Sequence, residues 1–72
     1  MTIRMGIYRH FKGNLYEVQA IAKHSETQED YVVYKALYGE GGLWVRPAAM
    51  FAEKIERDGR VMDRFEFLRD KL

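Results

Sequence analysis

The sequence predicts an all-β architecture: a small barrel or roll of five to six short strands, with one short helical turn near residues 48–51. Three observations carry this reading. Apolar and polar residues alternate with period two along several stretches. Glycine-bearing or polar segments separate those stretches at short intervals. Finally, Asp58-Gly59, a dipeptide favoured in two-residue hairpin turns, lies between two runs whose side chains match across it.

Residues 6–11, GIYRHF, read as the first strand. Gly13-Asn14 follows, and both residues tolerate positive φ, so a two-residue turn there places His10 opposite Glu17. In residues 15–24, LYEVQAIAKH, Tyr16, Val18, Ala20 and Ala22 share one face, while Glu17, Gln19 and Lys23 share the other. Ile21 breaks the pattern, which implies contact with another element or a bulge. SETQED, residues 25–30, is a polar loop. YVVYKALY, residues 31–38, is rich in β-branched and aromatic side chains on both faces, as expected of a central strand.

GEGG supplies a sharp reversal. LWVR, residues 43–46, is a short strand ending at Pro47, with Leu43 and Val45 assigned to the core side. Pro47 and the alanines after it suit a helical start, and either one turn at 48–51 or a longer helix over 47–55 is compatible with them. A turn at Asp58-Gly59 pairs Glu56 with Val61, Ile55 with Met62, Lys54 with Asp63 and Glu53 with Arg64, giving one apolar and two opposite-charge pairs. FEFLRDKL then docks Phe65, Phe67 and Leu68.

The chain has 72 residues, enough for one domain with a small core; its compact region is expected at about 6–68, with the tail 69–72 frayed. A hydrophobic content of 47% and an aromatic content of 14% exclude a disordered chain. The absence of cysteine excludes disulfides and thiolate metal sites and points to the cytoplasm. No apolar run is long enough to span a bilayer, and MTIRMGIYRHF lacks the features of a signal peptide, so no membrane role is expected. The net charge is +1. Basic residues prevail in 1–24 and acidic ones in 25–42, and the two signs interleave beyond, so there is no uniform basic stripe of the kind nucleic-acid binders carry.

Few residues offer chemistry. His10 and His24 are the only histidines and should not converge, so no metal is expected. HSE at 24–26 suggests a catalytic serine, but adjacent side chains on an extended chain point apart, and Ser25 and Thr27 are better read as shaping the loop. Glu26, Glu29 and Asp30 form an acidic loop that could meet a basic partner or simply stay solvated. Gly41-Gly42 is followed by neither the lysine nor the long helix of a phosphate loop.

The remaining candidates are Trp44 and Arg46, two apart and hence on one strand face. There an arginine can pack over an indole, and both residue types dominate interface hot spots. The structural alternative is that Trp44 fills a second small core with Arg46 covering its edge. Sequence leaves open whether Trp44 is core or surface; Tyr38 and Tyr34 could extend the same surface.

The order of elements resembles the SH3-type barrel plan. The stretches YRHFKGNLYEV, AKHSETQEDYVVYKALYGEGGLWVRPAAMF and EKIERDGRVMDRFE together resemble a small bacterial family catalogued as domain of unknown function 1653, over roughly residues 6–68. The resemblance implies an SH3-type barrel or roll; it implies no activity, cofactor or catalytic residue.

These readings converge on a non-catalytic binding module that presents Tyr38, Trp44 and Arg46, with His24 and Glu26 on a nearby loop, to a peptide, protein or small ligand. No catalytic residue, metal or cofactor is expected. A single-stranded nucleic-acid module is the less favoured alternative, and an accessory domain of an enzyme comes third. Self-association through an edge strand stays open.

Overall fold

The structure, a computed structural model, describes residues 3–70. Its elements in chain order are β1 (Gly6–His10), β2 (Leu15–Lys23), β3 (Asp30–Ala36), β4 (Leu43–Pro47), α1 (Ala48–Phe51), β5 (Lys54–Arg57), β6 (Arg60–Asp63) and β7 (Phe65–Arg69). Five strands form an antiparallel sheet in the order β4-β3-β2-β1-β7, and β5 and β6 form a separate hairpin. The all-β class and the helical turn at 48–51 are as expected, and no longer helix over 47–55 forms.

The strands number seven rather than five or six, because Phe65–Arg69 does more than dock as a tail: it pairs with β1. Among the described residues the two sheet edges, β4 and β7, do not pair with each other, so the fold is an open roll rather than a closed barrel. Arg69 is paired opposite Ile7, and Arg4 donates to Asp70 at 3.0 Å, so pairing continues past residue 68. Residues 71 and 72 of the tail expected to fray lie outside the described residues.

The hairpin of β5 and β6 forms in the register that its side chains predict. Ile55 lies opposite Met62, Glu56 opposite Val61 and Lys54 opposite Asp63. Lys54 and Asp63 form an ion pair, and Arg64 meets Glu53 at 2.9 Å. Asp58 and Gly59, at φ 53° and 76°, make the tight turn with two positive-φ residues that such strand twist favours.

The first hairpin departs from expectation. Its loop holds Phe11 to Gly13, closed by the His10 N–H donating to the Asn14 carbonyl at 2.8 Å and the Gly13 N–H donating to the His10 carbonyl at 2.7 Å. Gly13 takes φ 106°, which only glycine adopts readily. In this register Arg9 opposes Leu15 and Tyr8 opposes Tyr16. A turn at Gly13-Asn14 would have shifted the pairing by an odd number of residues, which reverses faces. His10 therefore shares a face with Tyr8 and Tyr16, not with Glu17.

Strand β2 keeps its predicted alternation up to Val18. The pairing with β3 then shifts between Val18 and Ala20, and beyond this bulge Ile21 opposes Val32. Ile21 thus joins the face of Val18, while Ala20 and Ala22, expected there, oppose Val33 and Tyr31 on the other face. Strand β3 lies between β4 and β2, as its apolar content implies.

The core lies on the inner face of the sheet, where Tyr8, Val18, Val32, Tyr34, Phe51 and Phe65 cluster. Phe51, the last residue of α1, stacks on Phe65 with centroids 4.1 Å apart and planes at 7°. Tyr8 and Tyr34 meet this stack edge-on, the arrangement that aromatic quadrupoles favour. The helical turn therefore serves to carry one aromatic ring over an otherwise open sheet face.

Candidate functional site

Strand β4 reverses one sequence expectation. The alternation assigns Leu43 and Val45 to the core side, yet they are 63% and 62% exposed. Trp44 opposes Tyr34 and Arg46 opposes Val32, and Tyr34 and Val32 are core residues. It is therefore Trp44 and Arg46 that stand on the inner face. The reason lies in the register with β3: this strand is apolar at 43, 44 and 45 alike, so composition could not tell its faces apart. Trp44 lies near the sheet edge and is 57% exposed, which answers the open question in favour of surface.

Arg46 does not pack over Trp44 as the spacing had suggested. Its guanidinium reaches inward instead. Its Cζ lies 5.6 Å from the Phe65 ring centroid, and its Nε makes a long 3.5 Å contact with the Tyr34 hydroxyl. None of the ion pairs between described residues involves Arg46.

Around this guanidinium the inner face is aromatic. Tyr16 packs edge-on to Tyr34, Tyr38 and Phe65 at centroid distances of 5.3, 5.5 and 5.7 Å. The Tyr16 and Tyr38 hydroxyls share a 2.7 Å hydrogen bond. Burial first, then the bond to Tyr38, pushes the Tyr16 hydroxyl up to about 12. His10 lies edge-on to Phe65 at 4.9 Å and to Tyr16 at 6.4 Å. Its Nδ1 accepts the Lys12 N–H at 3.2 Å, which leaves its proton on Nε2. Burial holds the His10 imidazole below its ordinary pKa, and the nearby charges of Arg46, Arg64 and Lys12 add to that. The Nε of Arg64 is buried without a hydrogen-bond partner.

The site is thus an aromatic floor of Tyr16, Tyr34 and Phe65, edged by Tyr38, His10 and Arg46. Its charged groups are cationic. Two carboxylates, Asp63 and Glu66, line a groove of about 340 Å³ together with His10, Arg9 and Met62. Both are paired already, to Lys54 and Arg9 respectively. Such a surface suits an anion attached to an apolar or aromatic group.

The other predicted residues lie elsewhere. His24 and Glu26 sit in the loop before β3, whereas Tyr38 follows its far end. Six strand steps separate the ends, roughly 20 Å. His24 is occupied in the loop. Its Nδ1 accepts the backbone N–H groups of Glu26 and Thr27 at 3.2 and 3.3 Å, and its ring lies 5.7 Å from that of Tyr31. Thr27 Oγ1 accepts the Glu29 N–H at 3.2 Å, the local role expected of it. The structure therefore brings Tyr38 and Arg46 to one site and separates His24 and Glu26 from it. His10, Tyr16 and Phe65 were missed. The available signal for His10 was the glycine at the third position of a three-residue loop, an alternative hairpin that reverses the histidine's face.

An all-β roll of a five-stranded sheet and a separate hairpin, with an aromatic inner face, is the class these features define. The family described as "Protein of unknown function (DUF1653)" matches residues 6–67, and the chain belongs to it. A crystal structure of a protein of the same family from Bordetella bronchiseptica is similar at 30% identity and a TM-score of 0.86, covering 97% of this chain and 91% of that one. No curated protein matches. Among the described residues no helix is long and apolar enough to cross a membrane.

Proposed function

We propose that this chain is a non-catalytic binding module whose inner face takes a carboxylate-bearing peptide segment or small ligand with an adjoining aromatic or aliphatic group. The observation that carries this reading is Arg46. Its guanidinium stands over Phe65 and beside Tyr34, and among the described residues it forms no ion pair with a carboxylate. A guanidinium offers a planar fork of donors matched to a carboxylate. The Nε2–H of His10 and the hydroxyl of Tyr38 supply further donors at the edge, and the tyrosine rings supply apolar area at low entropic cost. Recognition needs only donors and apolar area: the raised pKa keeps the Tyr16 hydroxyl protonated near neutral pH, so it offers a hydrogen bond rather than a phenolate.

The test is an NMR titration of the ¹⁵N-labelled protein with N-acetyl-phenylalanine and, separately, its amide. The carboxylate should shift resonances of His10, Tyr16, Tyr38 and Arg46, and the amide should not. Arg46→Ala should abolish the response. Equal shifts with acid and amide, or shifts retained in Arg46→Ala, would refute the reading.

A further inference from the structure

Strand β4 is an edge of the five-stranded sheet, with β3 on one side only. The direction of its free backbone groups follows from its pairing. The Ala36 N–H donates to the Gly42 carbonyl at 2.9 Å, so Gly42 turns its backbone toward β3. In an antiparallel ladder this alternates along the strand. Trp44 and Arg46 therefore also turn theirs toward β3, while Leu43 and Val45 turn an N–H and a C=O each outward. Pro47 falls at a position whose N–H would point outward, so its lack of one costs the β3 ladder nothing.

The side chains leave this edge unguarded. Leu43, Trp44 and Val45 are consecutive, apolar and more than half exposed. The other strands with a free edge carry charge: Lys54, Glu56 and Arg57 on β5, Arg60 and Asp63 on β6, Glu66 and Arg69 on β7. Charge is the usual device against edge-to-edge pairing, and β4 lacks it because Arg46 is turned toward Phe65.

We infer that β4 pairs antiparallel with β4 of a second copy of this chain, about a two-fold axis at Trp44. In this register Leu43 of each copy lies opposite Val45 of the other, and the two residues exchange both hydrogen bonds. The outward N–H and C=O of both Leu43 and Val45 are then satisfied on each edge. Trp44 faces its own counterpart at a non-hydrogen-bonded position, where cross-strand side chains come closest and large rings pair best. Arg46 falls opposite Gly42, so the guanidinium meets no like charge. The two neighbouring registers that obey the same symmetry are worse. One, centred on Val45, places Leu43 against Pro47, which has no N–H to return. The other, centred on Leu43, requires extended backbone at Gly41, whose φ is 70°. The contact is isologous and therefore closes as a dimer. It leaves the floor at Tyr16 and Phe65 uncovered and does not depend on the ligand reading above.

The test uses charge to read the register. Wild-type protein in sedimentation equilibrium should dimerise with a dissociation constant below about 1 mM. The double variant Leu43→Lys/Val45→Glu places opposite charges across both Leu43–Val45 pairs and should still dimerise. Leu43→Lys/Val45→Lys places like charges there and should dimerise at least tenfold more weakly. Both positions are exposed, and circular dichroism verifies that each variant is folded. Trp44, the only tryptophan, should show a near-ultraviolet signal that changes with concentration in the wild type alone or with the Lys/Glu variant. A wild type that stays monomeric to about 1 mM, or equal behaviour of the two variants, overturns the proposal.

Discussion

At the His24 end of β3, loop groups bind one another: His24 accepts two backbone N–H groups, and Thr27 accepts a third. Toward the Tyr38 end the Tyr16 and Tyr38 hydroxyls bond to each other and His10 lies edge-on to Phe65, while Arg46, opposite Val32, extends its guanidinium over Phe65 to the Tyr34 hydroxyl. Both ends carry a histidine, tyrosines and charged neighbours. The difference lies in what satisfies them. A short loop can fold its polar groups back onto its own backbone. Among the described residues of the site on the inner face, only His10 reaches a loop backbone, through its Nδ1 and the Lys12 N–H, and the guanidinium of Arg46 has no loop group to bind.

The comparison breaks most severely at the floor itself. Phe65→Ala removes the ring stacked on Phe51, and a core phenylalanine truncated to alanine costs about 3–5 kcal/mol. A core this small rarely supplies more than about 3–5 kcal/mol in total. The variant should therefore be largely unfolded at 25 °C by circular dichroism, and a cooperative melt close to that of the wild type would show that the stack is dispensable.

His24→Ala should cost about 1 kcal/mol in urea denaturation, since two loop N–H groups lose their acceptor, and it should leave ligand response at the other end unchanged. Arg46→Ala should do the reverse: a stability change of roughly 0.5–1 kcal/mol from the lost contact with Phe65, with loss of the carboxylate response. If His24→Ala proved to abolish binding, the division between the two ends would be wrong.

The smallest effects are in pH dependence. The Tyr16 hydroxyl is raised to about 12 from 10.0. Between those values the folded chain retains a proton that the unfolded chain has released, so stability falls as pH rises through that window. Tyr38→Phe removes the bond at Tyr16 and should bring its absorbance titration to lower pH. His10 has the opposite sign. Its folded pKa is lowered from 6.5, so below that value the unfolded chain binds the proton more readily and stability falls on acidification. A bound carboxylate should raise the His10 pKa, visible in its ring-proton NMR titration; no change would argue against an anion beside it.

Much of the fold was legible because local chemistry and tertiary structure agree. The hairpin at Asp58-Gly59 has a dedicated turn, an apolar pair and two charge pairs that all select one register, and that register forms. Ile21 was legible as an irregularity and lies just past the bulge in β2. The candidate site was less legible. Tyr38 and Arg46 are legible in the sequence, but the face of His10 is not, because a two-residue Gly13-Asn14 turn and a three-residue loop ending in Gly13 are both compatible with the same residues. His24 and Glu26 looked like neighbours of the site, but distance along β3 separates them.

The all-β class, the helical turn after Pro47 and the last hairpin were determined by the sequence alone, through alternation, turn residues and cross-strand pairs, all of which act over a few residues. Which face of β1 and of β4 looks inward was decided only by the tertiary structure. In β4 both faces are apolar, and in β1 a shift of register reverses every side chain, so the choice falls to the partner strands and to Phe51 and Phe65 stacking over the sheet. That choice placed His10 and Arg46 on the same aromatic floor.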